Sequence, residues 1–279
     1  MLTSRIIARL DVKGPNLVAP VQREGLRVLG RPQDFAIRYE AEGADELVFL
    51  DLVASLYQRP FLPEIVSRVS EQVFIPLTVG GGIRSVEDAR RLLLNGADKI
   101  ALNTAAIKRP SLITELAEGL GCQCVVILVE AKRRNWGWEA MTDNAREPSG
   151  RDALDWIQEA AALGAGEIIL LSVDRDGLGQ GIDLGLIRAV SALGLPLPLV
   201  ASGGCGNAEH ILQALQAGAD AVACSSMFGY WYADQVAAEG AFAEGNLEWK
   251  QGSRGAAPFP GASIASVKKQ LSGQVRVRI

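Results

Sequence analysis

The sequence has one histidine, four cysteines and few aromatic residues, and no apolar run approaches the length of a bilayer-spanning helix. A single imidazole makes a histidine-rich metal site or a Ser-His-Asp or Cys-His mechanism a poor expectation, so no metal is expected. Cys122 and Cys124 are one residue apart, which suits neither a zinc knuckle nor a CxxC redox pair. All four thiols, with Cys205 and Cys224, read as small apolar residues in a reducing compartment. No stretch reaches the ~18 apolar residues of a membrane span, and the charged start MLTSRIIARLDVKG is no signal peptide. A soluble, cytoplasmic protein is the expectation. Net charge is also small, -4 from 28 basic and 32 acidic residues spread evenly. Such a chain has no footprint for nucleic acid or an anionic membrane.

Short β-branched apolar runs alternate with amphipathic stretches. The runs are Ile6–Val12, Leu47–Leu50, Phe74–Val79, Lys99–Leu102, Val125–Val129, Ile168–Leu171, Leu197–Ala201 and Ala221–Cys224; helical patterns include Pro32–Glu42, Ser85–Asn95, Arg151–Leu163 and Asn207–Ala217. Short strands without polar alternation read as parallel and buried on both faces. Eight strand-helix units predict a closed α/β (β/α)8 TIM barrel, one domain over residues 1–279.

The chain also repeats itself. PLTVGGGIRSVEDARRLLLNGADKIALNT (76–104) aligns without gaps on PLVASGGCGNAEHILQALQAGADAVACSS (198–226), and EGADELVFLD (42–51) resembles LGAGEIILLS (163–172). The unit is far longer than a solenoid repeat, so two (β/α)4 half-barrels are expected. Residues 229–262, rich in Gly, Ala and Pro, read as an insertion in the loop after the eighth strand.

Glycine clusters follow the third and seventh strands, at Gly80–Gly82 and at Gly203–Gly204, with Asn103–Thr104 and Ser225–Ser226 ending the fourth and eighth. Backbone stripped of side chains approaches an anion closely, and hydroxyls with helix N-termini complete a phosphate site. Two such sites suit a substrate phosphorylated at both ends. Asp11 closes the first strand and Glu130 the fifth, equivalent places in the two halves, as a general acid and base would be. Asp51 ends the second strand, and Asp174 and Asp176 follow the sixth. At the opposite end Arg5, Glu46, Lys99 and Glu167 stand at strand starts, where a neutralised ring across the barrel floor would pass or dock something. His210 reads as a solvated or capping residue, and Trp136 and Trp138 as a hairpin after the fifth strand.

RIIARLDVKG, EGADELVFLD, FIPLTVGGGIRSVEDARRLL, GADKIALNTAAI, DRDG and ASGGCGNAEH resemble the HisF family, cyclase subunits of imidazole glycerol phosphate synthase, over about residues 1–228 and the last helix. The resemblance implies ammonia from a HisH-like glutaminase, entering through a gate of Arg5, Glu46, Lys99 and Glu167, with Asp98 facing the partner. It implies reaction with a bisphosphorylated aminoimidazole carboxamide ribonucleotide at Asp11 and Glu130, without metal or organic cofactor. One phosphate would lie at Gly81, Gly82, Asn103 and Thr104, the other at Gly177, Gly203, Gly204, Ser225 and Ser226, with Asp51 and Asp176 also touching substrate. The sequence departs from the family at four places. Glu130 stands for an aspartate and Arg9 for a small residue, the first loop (Asn16–Pro20) lacks a lysine and has Ala19, and 229–262 has no counterpart. These departures resemble HisF-like paralogues of surface-glycan clusters such as those of lipopolysaccharide, which hand ammonia to a sugar amidotransferase; that is the second expectation.

Overall fold

The computed structural model describes residues 3–57, 59, 63–238 and 259–278. Eight parallel strands close into a barrel: β1 (Arg5–Lys13), β4 (Glu46–Asp51), β5 (Leu77–Gly80), β6 (Lys99–Leu102), β7 (Val125–Arg134), β10 (Glu167–Ser172), β11 (Leu199–Ser202) and β12 (Ala221–Cys224). Each pairs with the next, β12 returns to β1, and Glu130 stands opposite Leu171 where β7 meets β10. All eight runs expected from the sequence are barrel strands. The third is shorter than expected, with Phe74 exposed before it begins.

Period-2 burial on both faces explains why these strands lack polar alternation. Ile7, Val48, Ala101, Val126, Ile169, Val200 and Ala221 point to the axis and form the inner core. Their neighbours Ile6, Leu47, Ile100, Val125, Ile168 and Val222 point outward and meet the helices. Burying each such side chain contributes about 1.5–3 kcal/mol, so the two-faced strand is the main source of stability.

The helices are α1 (Pro32–Ala41), α2 (Pro63–Ser70), α3 (Val86–Leu94), α4 (Thr104–Lys108), α5 (Ser111–Leu120), α6 (Ala153–Ala162), α7 (Leu184–Ser191), α8 (Ala208–Gln216), α9 (Ser226–Ala238) and α10 (Ile264–Leu271). The repeat is visible in their caps. Ser85 accepts from Asp88 N at 3.1 Å, and Asn207, its counterpart, accepts from His210 N at 3.0 Å. The Gly-Ala-Asp turns recur as well: Asp45, Asp98 and Asp220 accept from the N–H groups of Ile6, Leu77 and Leu199 at 2.7, 2.7 and 2.8 Å. Each aspartate thereby locks a helix-to-strand turn to the adjacent strand.

The segment 229–262 is not a loop throughout. Its first ten residues continue α9, and Phe259 packs edge-on against Tyr230 at 5.6 Å. Residues 239–258 lie outside the described residues. Among the described residues no helix is long and apolar enough to cross a membrane.

Four strands lie outside the barrel; the hairpin expected at Trp136 and Trp138 is there, while the first hairpin and the last strand of the second were not foreseen. β1 leaves it into a hairpin of β2 (Asn16–Val21) and β3 (Glu24–Gly30), and β7 does the same with β8 (Gly137–Thr142) and β9 (Glu147–Asp152). The two extensions are equivalent in the two halves, and both lean over the mouth.

Candidate active site

Asp11 and Glu130 sit where these two strands leave the barrel, fully buried and facing inward. A single guanidinium stands between them: Arg23 Nη2 is 2.6 Å from Glu130 Oε1, and Arg23 Nη1 is 3.5 Å from Asp11 Oδ1. Arg23 comes from the tip of the β2–β3 hairpin, a residue that sequence reasoning passed over. Gln22 and Arg23 both have left-handed φ values, 49° and 66°, costing about 1–2 kcal/mol per residue without glycine. The tip is held by Gln22 N donating to Asp176 O at 2.8 Å and by Asn144 Nδ2 donating to Arg23 O at 3.0 Å. Asn144 itself lies in the second hairpin, in a turn where Asp143, Asn144 and Ala145 also have positive φ. Two strained turns therefore meet over the site and hold one another.

Arg9 is the second unforeseen element of the geometry. Its sequence position suggested bulk against the barrel wall. It is instead 2 % exposed and turned to the axis. Nη2 reaches Asp11 Oδ2 at 2.8 Å and Asp176 Oδ1 at 2.9 Å, Nε reaches Asp11 Oδ2 at 3.1 Å, and Nη1 reaches Ser202 Oγ at 2.8 Å. Burial pulls the Arg9 guanidinium down, but the Asp11 and Asp176 carboxylates outweigh it and hold it well above its ordinary value. Ser225 Oγ donates to Asp11 at 2.9 Å. Asp176 is thus tied into an ion-pair cluster at the mouth.

Glu130 is satisfied on every side. Besides Arg23 it accepts from Asn103 Nδ2 and Ala145 N, both at 2.9 Å. Burial pushes its carboxyl up, and Arg23 and the Ala145 N–H partly offset the rise. Asp51, pushed up by burial, accepts from Val53 N at 3.1 Å and Ala54 N at 3.0 Å, with Arg59 Nη2 at 2.8 Å.

A cavity of about 440 Å³ opens beside this cluster, lined among others by Asp51, Gly81, Gly82, Asn103, Thr104 and Glu130. Its wall is the first-half phosphate site read from the sequence. Gly81 is required there: at φ 109° a Cβ would lie 2.6 Å from Asp51 O. Thr104 Oγ1 accepts from Asp143 N at 2.9 Å, joining the site to the second hairpin. The second-half residues Gly177, Gly203, Gly204, Ser225 and Ser226 do not line this cavity. Gly203 repeats the constraint of Gly81, its missing Cβ 2.6 Å from Ser172 O, while that of Gly177 is 2.2 Å from Pro20 O in β2. The first hairpin is packed on the second-half loop and leaves the first half open.

At the barrel floor the four strand-start charges do form a ring. Arg5 bridges Glu46 and Glu167 at 2.7 and 2.6 Å, and Lys99 bridges the same two at 3.2 and 2.9 Å. The Arg5 guanidinium loses to burial but is held above its usual value by Glu167 and Glu46. Asp98 lies exposed on the same face with its carboxylate on Leu77 N.

The remaining candidates carry no chemistry in this geometry. His210 Nδ1 accepts from Gly206 N at 3.1 Å beside the α8 cap, and Trp138 donates to Asp183 at 3.1 Å under the Arg133 guanidinium. The four cysteines are free thiols. Among the described residues no group of three or more His, Cys, Asp or Glu is placed to hold a metal ion.

Known proteins are similar to this chain in sequence. The model of the histidine biosynthesis protein family matches residues 5–235. The imidazole glycerol phosphate synthase subunit HisF of Legionella pneumophila is 55 % identical over 211 residues, covering 75 % of this chain and 99 % of that protein. The HisF subunit of Myxococcus xanthus is 52 % identical, covering 79 % of this chain and 87 % of that protein, and that of Pyrococcus furiosus is 46 % identical, covering 82 % and 91 %.

Proposed function

The chain belongs to the histidine biosynthesis protein family, and on that premise we propose the reaction that its mouth and floor serve. It is a HisF-type cyclase subunit of imidazole glycerol phosphate synthase. Ammonia from a HisH-like glutaminase crosses the floor and meets a bisphosphorylated aminoimidazole carboxamide ribonucleotide. Imidazole glycerol phosphate and the carboxamide by-product leave. The observation that carries this reading is the axial order of side chains: a closed ring of four charges, then an apolar interior, then paired carboxylates. An apolar lining favours passage of neutral ammonia over ammonium, since an unpaired ion there has no compensating partner.

At the mouth the carboxylates have different surroundings and hence different tasks. Asp11 accepts from Arg9 and Ser225, which favours its acting as the base. Glu130, whose carboxyl is pushed up by burial, serves as the acid. One substrate phosphate seats on the Gly81–Gly82 backbone and Thr104, beside the cavity cations Arg84 and Lys108. The other would seat on the Gly203–Gly204 side, which requires the β2–β3 hairpin to shift from Gly177. The relatives named above carry the cyclase's name, which favours this reaction over delivery of ammonia to a sugar amidotransferase.

The test is turnover of the bisphosphate substrate with ammonium, followed by substrate absorbance, in the native chain and in Asp11→Asn. Loss confined to the variant supports the reading. An inert native chain refutes it.

A further inference from the structure

We infer that Arg23, carried into the mouth by the first hairpin, is a substrate-binding residue of this barrel, donating to an acceptor oxygen of the ligand from guanidinium N–H groups that are buried and lack a hydrogen bond. The inference rests on the cyclase reading for the identity of that ligand, but its geometry stands by itself. Arg23 is 3 % exposed and lines the cavity together with Glu130 and Asn103. Nη2 is spent on Glu130, while Nε and Nη1 have no hydrogen-bond partner among the described residues. The nearest carboxylate oxygens, Asp11 Oδ1 at 3.5 Å and Asp176 Oδ2 at 3.8 Å, are too far for good hydrogen bonds, and both also lack one. Buried guanidinium N–H groups left open are costly, and they persist where a ligand completes them.

The two guanidinium groups of the cluster are held differently. Three carboxylates, Asp11, Glu130 and Asp176, face two guanidinium groups, Arg9 and Arg23. Arg9 has its Nε, Nη1 and Nη2 all donating, so it is a fixed brace. Arg23 alone of the two borders the cavity and sits on a hairpin tip rather than on a barrel strand. Ala19, four residues earlier on the same hairpin, is fully buried and offers no charge; the hairpin cation that lines the cavity is at position 23. A guanidinium beside Glu130 is placed to hold a carbonyl or hydroxyl oxygen next to that carboxyl group.

The experiment compares the native chain, Arg23→Gln and Arg23→Lys, first confirming folding by thermal melt. Binding of the bisphosphate substrate is measured by calorimetry without ammonia, and turnover with saturating ammonium across pH. Arg23→Gln is expected to weaken binding and raise KM roughly ten- to a hundredfold, the loss of a charge-assisted hydrogen bond, with Arg23→Lys recovering part of it. The alkaline limb of kcat/KM should also move to higher pH in Arg23→Gln. Glu130 then faces Asp176 and the Arg9-bound Asp11 with only Asn103 and Ala145 as donors. A purely structural role would leave that limb in place. Unchanged binding, KM and alkaline limb overturn the inference while the cyclase reading stands. Binding that depends on Arg23 in a chain that does not turn over supports the inference and removes the reading. No binding to the native chain overturns both.

Discussion

Arg9 and Asp11, two residues apart on one strand, form a fully buried ion pair at 2.8 Å on the barrel axis, and the same guanidinium atom holds Asp176 at 2.9 Å. Removing a partner from a buried pair costs about 3–5 kcal/mol, because the remaining charge is stranded. Arg9→Ala strands two carboxylates. It should lower the melting temperature by roughly 10 °C at the 2–4 °C per kcal/mol of a chain this size, read by calorimetry. An unchanged melt would show that the pair is not holding the mouth together.

Glu130→Asp should reduce activity. The longer side chain reaches three donors at once: Arg23, Asn103 and Ala145. Shortening it withdraws the carboxylate by about 1 Å, and misplacement of that size costs about a hundredfold in rate. From the sequence, Glu130 read as a departure from the family's aspartate; the cradle around it is fitted to glutamate. Steady-state kinetics of the variant at saturating ammonium check the point, and a gain in kcat contradicts it.

The direction of the Glu130 shift sets a pH dependence. Its folded pKa is raised above the unfolded one by burial, net of Arg23. Its contribution to stability is therefore present below its unfolded pKa, ordinarily 4.5, and is lost as pH rises through the folded value. Glu130→Gln should accordingly flatten the stability profile just above pH 4.5, seen in denaturant melts at stepped pH. A profile identical to that of the native chain contradicts the assignment.

Gly81→Ala and Gly203→Ala should destabilise alike. Each meets a carbonyl oxygen 2.6 Å from the new methyl, at φ 109° and 88°. Strain of about 1–3 kcal/mol is expected for each. Only Gly81 lines the open cavity, so Gly81→Ala should weaken competition by inorganic phosphate, while Gly203→Ala leaves that competition in place until the first hairpin moves. Equal effects on phosphate would place both halves in one open site.

Lys99→Met opens the floor ring and leaves Glu46 and Glu167 with Arg5 alone. Turnover driven by glutamine through a glutaminase partner should fall relative to turnover driven by free ammonium. A constant ratio would remove the floor from the ammonia path.

The barrel was legible because it repeats. Short two-faced strands, the Ser85 and Asn207 caps and the Gly81 and Gly203 turns are local signals, written twice. Asp11, Glu130 and the ring of Arg5, Glu46, Lys99 and Glu167 were legible from their places at strand ends. What escaped depends on contacts distant in sequence. Arg23 reads as an ordinary loop charge until its hairpin is folded back over a carboxylate 107 residues away. The bond from Leu77 N to Asp98, in the turn after the next helix, is likewise invisible until that turn is formed. Arg9 could have been inferred from period 2 alone, since it shares the inward face with Ile7 and Asp11.

Isotope labelling reaches the central claim most directly. The native chain, given 15N-ammonium and the bisphosphate substrate, should place one 15N atom in imidazole glycerol phosphate, detected by mass spectrometry. Unchanged substrate, with the chain folded and ammonium in excess, would contradict the account.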